Sequence, residues 1–164
     1  MATPTNLPSS FTSGDGLTAA NMNNLRGAFR ILQVLHMETA TLATNSTTTF
    51  AASGLTLSIT PQATSSKILI YSVSSIAKTA GNLANAVNLR MRRGSTVLTS
   101  QTAVLYTGTT VIQVGTSPMI YLDSPNTTST VTYDVQFANF TGAAQVEHNA
   151  NGSASSIVLM EVSA

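Results

Sequence analysis

From Ile31 onward, apolar side chains recur at every second residue, in short runs broken by turn residues. A period of two is the mark of a β-strand, whose successive side chains point to opposite faces. Val131, Tyr133, Val135 and Phe137 alternate with Thr132, Asp134 and Gln136. Leu55, Leu57 and Ile59 alternate with Thr56, Ser58 and Thr60, and Val87, Leu89 and Met91 alternate with Asn88, Arg90 and Arg92. Arg93-Gly94-Ser95 then predicts a tight hairpin leading into Val97 and Leu98. Ala144, Val146 and His148 form a weaker strand, Asn151-Gly152 marks a turn, and the apolar run Ile157–Val162 closes the chain. Two segments break the alternation. Ile68–Val73 and Met119–Leu122 are apolar on both faces, as in a strand covered twice. Eight or more short strands predict an all-β antiparallel β-sandwich of jelly-roll type. In a one-domain sandwich the second cover has to come from another subunit.

Composition agrees with a β body built for assembly. Of 164 residues, 46 are Thr or Ser and only 13 are charged. Threonine packs well on a pleated sheet. A surface of hydroxyls and amides meets copies of itself without stripping water from many ions. The formal net charge of +1 gives no bulk attraction to nucleic acid or anionic membrane. Aromatics are 5% and Trp is absent, so the core has to be aliphatic. No cysteine is present, and no run approaches the ~18 apolar residues of a membrane span. With no secretion signal read at Met1–Ser10, these features lead to the expectation of a chain made in a reducing cytosol.

The sequence divides into residues 1–30 and a sandwich over 31–164. Pro4, Pro8, Gly14 and Gly16 predict an extended arm, followed by one short helix capped by Thr18. Leu17 precedes that cap, and Met22, Leu25 and Phe29 fall on one helical face. A helix of this length needs a surface to lie on, either its own sheet or another subunit or scaffold. These four residues are the candidate anchor.

Signals for chemistry are thin. No Gly-x-Ser-x-Gly elbow, HExxH, Cys/His cluster or phosphate loop occurs, so no catalytic, cofactor or metal site is expected. Asp123 and Asp134 serve glycoside cleavage only if the fold pairs them. His36 and His148 read as surface or core histidines. Arg90, Arg92 and Arg93 are the one charge cluster. They read as a solvated face, or as contacts to an anionic glycan or a neighbouring subunit. Glu161 interrupts an apolar strand. A carboxylate buried there needs a partner, and Arg90 or Arg92 is the candidate, within the chain or across a subunit boundary; a slip of one residue instead places it in solvent.

Two stretches resemble proteins of tailed bacteriophages. Phe11–Arg26 is similar to N-terminal segments of tail-fibre and related virion proteins. From Ile31-Leu-Gln-Val34 onward the chain resembles a phage β module, through Leu55–Pro61, Ser65–Ile70, Leu89–Thr96, Tyr121–Pro125 and Ile157–Val162. The resemblance implies a virion structural protein of the short-fibre type. It would be a homotrimer with a jelly-roll head and an N-terminal attachment segment, assembled in the host cytoplasm and released by lysis. Its partners would be other virion proteins of tail or capsid and a host cell-surface glycan, with no nucleic acid and no membrane insertion. The absence of a shaft keeps a capsid decoration protein open, and a glycan-degrading enzyme is a third reading. Loops around Lys78–Asn85 and Thr107–Thr116 are the candidate distal tip.

Overall fold

The computed structural model describes residues 30–79, 84–141 and 144–163. Ten strands run through them: β1 (Ile31–Thr39), β2 (Ala43–Asn45), β3 (Ala51–Ile59), β4 (Lys67–Lys78), β5 (Asn85–Arg93), β6 (Thr96–Thr107), β7 (Gln113–Asp123), β8 (Val131–Asn139), β9 (Val146–His148) and β10 (Ser155–Val162). Every pairing is antiparallel. One sheet runs β1-β10-β4-β7 and the other β3-β8-β5-β6. Leaving aside the three-residue β2 and β9, the long strands in chain order alternate between the sheets except at the β5–β6 hairpin, which stays in one sheet, as in a jelly roll. The all-β sandwich read from the sequence is thus the observed fold. The arm, the helix and the anchor residues Leu17, Met22, Leu25 and Phe29 lie outside the described residues.

The core lies between the sheets and is mainly aliphatic. Leu55, Ile59, Ile68, Ile70, Leu89, Met91, Val135, Ile157 and Leu159 are all buried in it, with Tyr133 and Phe137 as its aromatics. Each such aliphatic side chain contributes about 1.5–3 kcal/mol on leaving water. Strand β8 follows its predicted alternation, with Tyr133, Val135 and Phe137 inward.

Local chemistry shapes the strands. Gly94 turns the β5–β6 hairpin with φ +56°, a conformation that disfavours a Cβ. Strand β3 bulges at Ser53-Gly54, where Ser53 Oγ donates to the Val135 carbonyl (2.7 Å) and Gly54 takes φ +88°. Pro118 lies in β7, an edge strand, where a missing N–H is tolerated. Near its end, β4 changes partner along one edge, from β10 at Lys67–Val73 to β9 at Ile76–Lys78. A short 3-10 turn at Ala150–Gly152 fills the gap, with Asn149, Asn151 and Gly152 at positive φ. This is the turn that Asn151-Gly152 predicts.

Candidate assembly face

The registers of β1, β10, β4 and β7 align side chains in rows. On the outer face one row reads Val34, Met160, Leu69, Leu122, and the next reads His36, Val158, Tyr71, Ile120. A third row holds Glu38, Ser156, Val73 and Pro118. Ile120 is 64% exposed, Val34 54%, Leu122 53% and Tyr71 41%. This is one contiguous apolar surface facing water. It is the outward half of the two-sided segments Ile68–Val73 and Met119–Leu122.

The outer face of the other sheet is polar. Ser58 and Thr132 share a hydroxyl hydrogen bond of 2.7 Å, as do Thr60 and Thr130 just beyond β3. Arg92 grips Asp134 across the strands with two bonds, Nε to Oδ1 (3.1 Å) and Nη2 to Oδ2 (2.7 Å). Arg90 donates twice to Gln136 and stacks over the Phe50 ring at 4.1 Å. The molecule therefore has one wet outer face and one greasy one.

Glu161 is fully buried, but its expected pairing with Arg90 or Arg92 is corrected within the chain. It lies in β10, facing inward, while both arginines lie on the outer face of the opposite sheet. Gln33 Nε2 donates to it at 2.6 Å and the Gln62 backbone N–H at 2.7 Å. Burial works against the charged form. The surrounding donors of Ser66, Gln33, Gln62 and Ala63 more than offset it and hold the carboxyl below its ordinary range. Neutral donors thus do what a cation was expected to do.

A second buried carboxylate joins the two sheets. Asp123, in β7, accepts from Tyr133 Oη (2.7 Å) and Arg93 Nη1 (2.7 Å), both on the opposite sheet. Burial, with Asp123 as acceptor, pushes the Tyr133 phenol far above its usual range. Asp123 and Asp134 do not converge, since each is held by its own guanidinium on a different face. Sequence reading missed this clasp, because Tyr133 looked like one more core aromatic. A carboxylate ending an apolar strand beside a buried phenol was the available signal.

One end of the sandwich gathers charged groups and the ends of β1 and β10. Glu161 and Asp123 flank Ile68 there, Arg93 faces Tyr133, and Ser163 donates to the Arg30 carbonyl where the N-terminal segment enters. At the opposite end, the buried Lys78 ammonium at the end of β4 donates to the Thr109 carbonyl, while residues 80–83 of the first tip segment lie outside the described residues. The strands reach further than predicted, so the second loop is only 108–112. It carries the exposed Val111 and Ile112 and is not wholly polar. Tyr106 and Phe140 pack edge to face nearby at 6.2 Å.

His148 is buried against Phe137, with ring centroids 5.7 Å apart. Neither ring nitrogen meets hydrogen-bonding geometry with a partner among the described residues. Burial pushes this imidazole down to about 4, with Asn149 working weakly the other way. His36 stands alone on the outer face, and no three metal-ligating side chains converge among the described residues. No described helix is long and apolar enough to cross a membrane.

The fold and this face define a two-sheet jelly-roll sandwich with a single apolar outer surface. No protein-family model matches the chain, and no characterised protein matches it in sequence. Among solved structures it is similar to chains of infectious bursal disease virus. In its VP2 subviral particle the identity is 11% and the TM-score 0.34, covering 79% of this chain and 38% of that one. In its Gt strain the identity is 9% and the TM-score 0.36, covering 80% and 40%. This chain therefore spans about two fifths of the length of the chains it matches.

Proposed function

We propose that the chain is a structural component of a tailed-phage virion. In this reading it is a trimeric fibre-type protein held to the particle by its N-terminal segment, with Leu17, Met22, Leu25 and Phe29 as anchor positions. The β head is displayed for attachment to a host-surface glycan, and the chain assembles in the host cytoplasm and leaves by lysis. One observation carries the reading: the sandwich keeps one outer face hydroxylated and salt-bridged and leaves the other apolar. Large exposed apolar patches mark interaction sites. The polarity of the molecule gives further support. Arg30, where the described residues begin, and the 108–112 loop lie at opposite ends of the sandwich. No catalytic constellation enters the proposal.

Capsid decoration is the competing reading, because an apolar outer face serves equally well for seating on a shell. Labelled virions imaged by electron microscopy separate the two. Label at the tail supports the fibre reading, and label over the head supports decoration. Absence of label from purified particles refutes both.

A further inference from the structure

The wet outer face is not uniform. Its end nearest the 108–112 loop carries two aromatic rings in water, Tyr106 at 53% exposure and Phe140 at 38%. Ala86 of β5 lies between them. Its carbonyl accepts from the Phe140 N–H, and the neighbouring pair Asn85–Thr107 sets Tyr106 on its other side. The rings meet edge to face there, and Ala86 is fully buried. A paired aromatic platform left in water on a sheet of hydroxyls is a surface suited to a ligand with an apolar face.

Further along β5, on the same face, stand Asn88 and then Arg90. Arg90 places Nε and Nη2 on Gln136 Oε1, at 2.9 and 2.6 Å, and its Cζ lies 4.1 Å from the Phe50 ring centroid. The guanidinium is therefore fixed in direction, with Nη1 left over. Arg92 and Arg93 are each neutralised, by Asp134 and Asp123, but among the described residues no carboxylate pairs with Arg90. Asn88 Oδ1 accepts from the Ala103 N–H at 3.0 Å. The acceptor oxygen of each amide is thus engaged, and what Asn88, Gln136 and Arg90 still offer is N–H. Donors with one fixed positive charge among them are the complement of a carboxylate flanked by other oxygens.

Ala86 and Arg90 are four residues apart on one strand, about 14 Å. A lone inorganic anion would meet the guanidinium and leave the rings wet. A nucleic-acid strand calls for a row of cations, which this face lacks. A chain of sugars bearing carboxylates meets every part: its C–H faces lie on the rings, its hydroxyl oxygens accept from the amides, and its acid group meets Arg90. We propose that this end of the wet face binds an acidic glycan, with a sugar carboxylate on Arg90 and a sugar ring on Tyr106 and Phe140. The proposal rests on the attachment reading above and names the class of glycan.

The full chain is titrated by calorimetry at low salt with oligomers of galacturonate, mannuronate and sialic acid, and with the methyl ester of each, which keeps the sugar and removes the charge. At least one acidic series is expected to bind, and its ester at least ~10-fold more weakly. Arg90→Gln and Tyr106→Ala are each expected to weaken the acidic oligomer at least ~10-fold, while Lys67→Gln, on the other sheet, leaves its affinity unchanged. No binding in any series, binding indifferent to esterification, or equal losses for Arg90→Gln and Lys67→Gln overturns the proposal. A changed native mass for Arg90→Gln also overturns it, since a neighbouring copy then occupies the face. The ester comparison needs no variant, so it decides the matter even if Arg90→Gln misfolds. Incorporation of tagged chain into virions is scored separately: its failure refutes the virion role and leaves the glycan titration standing.

Discussion

Acid should unfold this protein in two separable stages, and His148 sets the first. In the unfolded chain its imidazole takes a proton near pH 6.5, the ordinary value; in the fold burial holds it down to about 4. Between those values the unfolded state binds a proton that the folded state refuses, so stability falls as pH falls. The loss begins near pH 6.5 and is complete near pH 4. Its slope approaches 1.36 kcal/mol per pH unit, and over the whole window it amounts to about 3 kcal/mol. Glu161 acts lower. Its carboxyl is held below the ordinary 4.5, so its contribution is fully present above that value and is lost below it. The assay is a series of urea midpoints at fixed protein concentration from pH 7.5 to pH 3.5, for the wild type and His148→Phe. A phenyl ring keeps the packing on Phe137 and cannot be protonated. The variant should be flat between pH 6.5 and 4.5 and then fall with the wild type. If it shows the wild-type slope across that interval, the buried neutral imidazole is not the source of acid lability.

Other perturbations follow from the same geometry. Glu161→Gln removes charge-assisted bonds from Gln33 and Gln62 and should cost about 2–3 kcal/mol at pH 7 by urea unfolding, with its part of the acid transition gone. Tyr133→Phe leaves Asp123 buried with one donor fewer and should cost about 1–2 kcal/mol, while a Tyr106→Phe control changes little. Ala103 holds φ +59° within β6, so Ala103→Gly should raise thermal stability by up to ~1 kcal/mol, and Gly94→Ala, at φ +56°, should lower it by about the same amount.

Legibility followed physical rule by rule. Strands with one face inward, such as β8 and β5, were readable because alternation in sequence maps directly onto burial. The Gly94 hairpin and the Asn151-Gly152 turn were readable because only a few residues accept positive φ. Strand β6 was seen only at Val97 and Leu98, although it runs on to Thr107. Its sequence is rich in Thr and Ser, and Ala103 and Leu105 turn left-handed where its register with β5 slips, so no period survives. Most of the assembly face was readable as two-sided strands, but the rows were not. Which residue of β1 stands beside which of β10 is a matter of register, and register is a property of pairs of strands. The partner of Glu161 was missed for a related reason. The sequence called for a charge, and the fold supplied Gln33 from the neighbouring strand and the backbone of the loop after β3.

The placement of the few charges bears on why the apolar face is open at all. Arg92 and Asp134 neutralise each other on the wet sheet, Arg93 is spent on Asp123 between the sheets, Lys78 is buried at the tip, and Glu161 is enclosed by neutral donors. Soluble sandwiches usually defend an edge strand with lysines or inward charges, so that it does not recruit another chain. Along the outward side of β7 stand Val114, Thr116, Pro118, Ile120 and Leu122, and only the proline hinders pairing. A single Lys or Glu at position 120 would have been a cheap defence, since the side chain there is 64% exposed and serves no core. Its absence means that this edge and face are not protected from association. With so little charge to repel copies, the free chain should associate through that surface, and Ile120→Lys should leave it monomeric and equally stable.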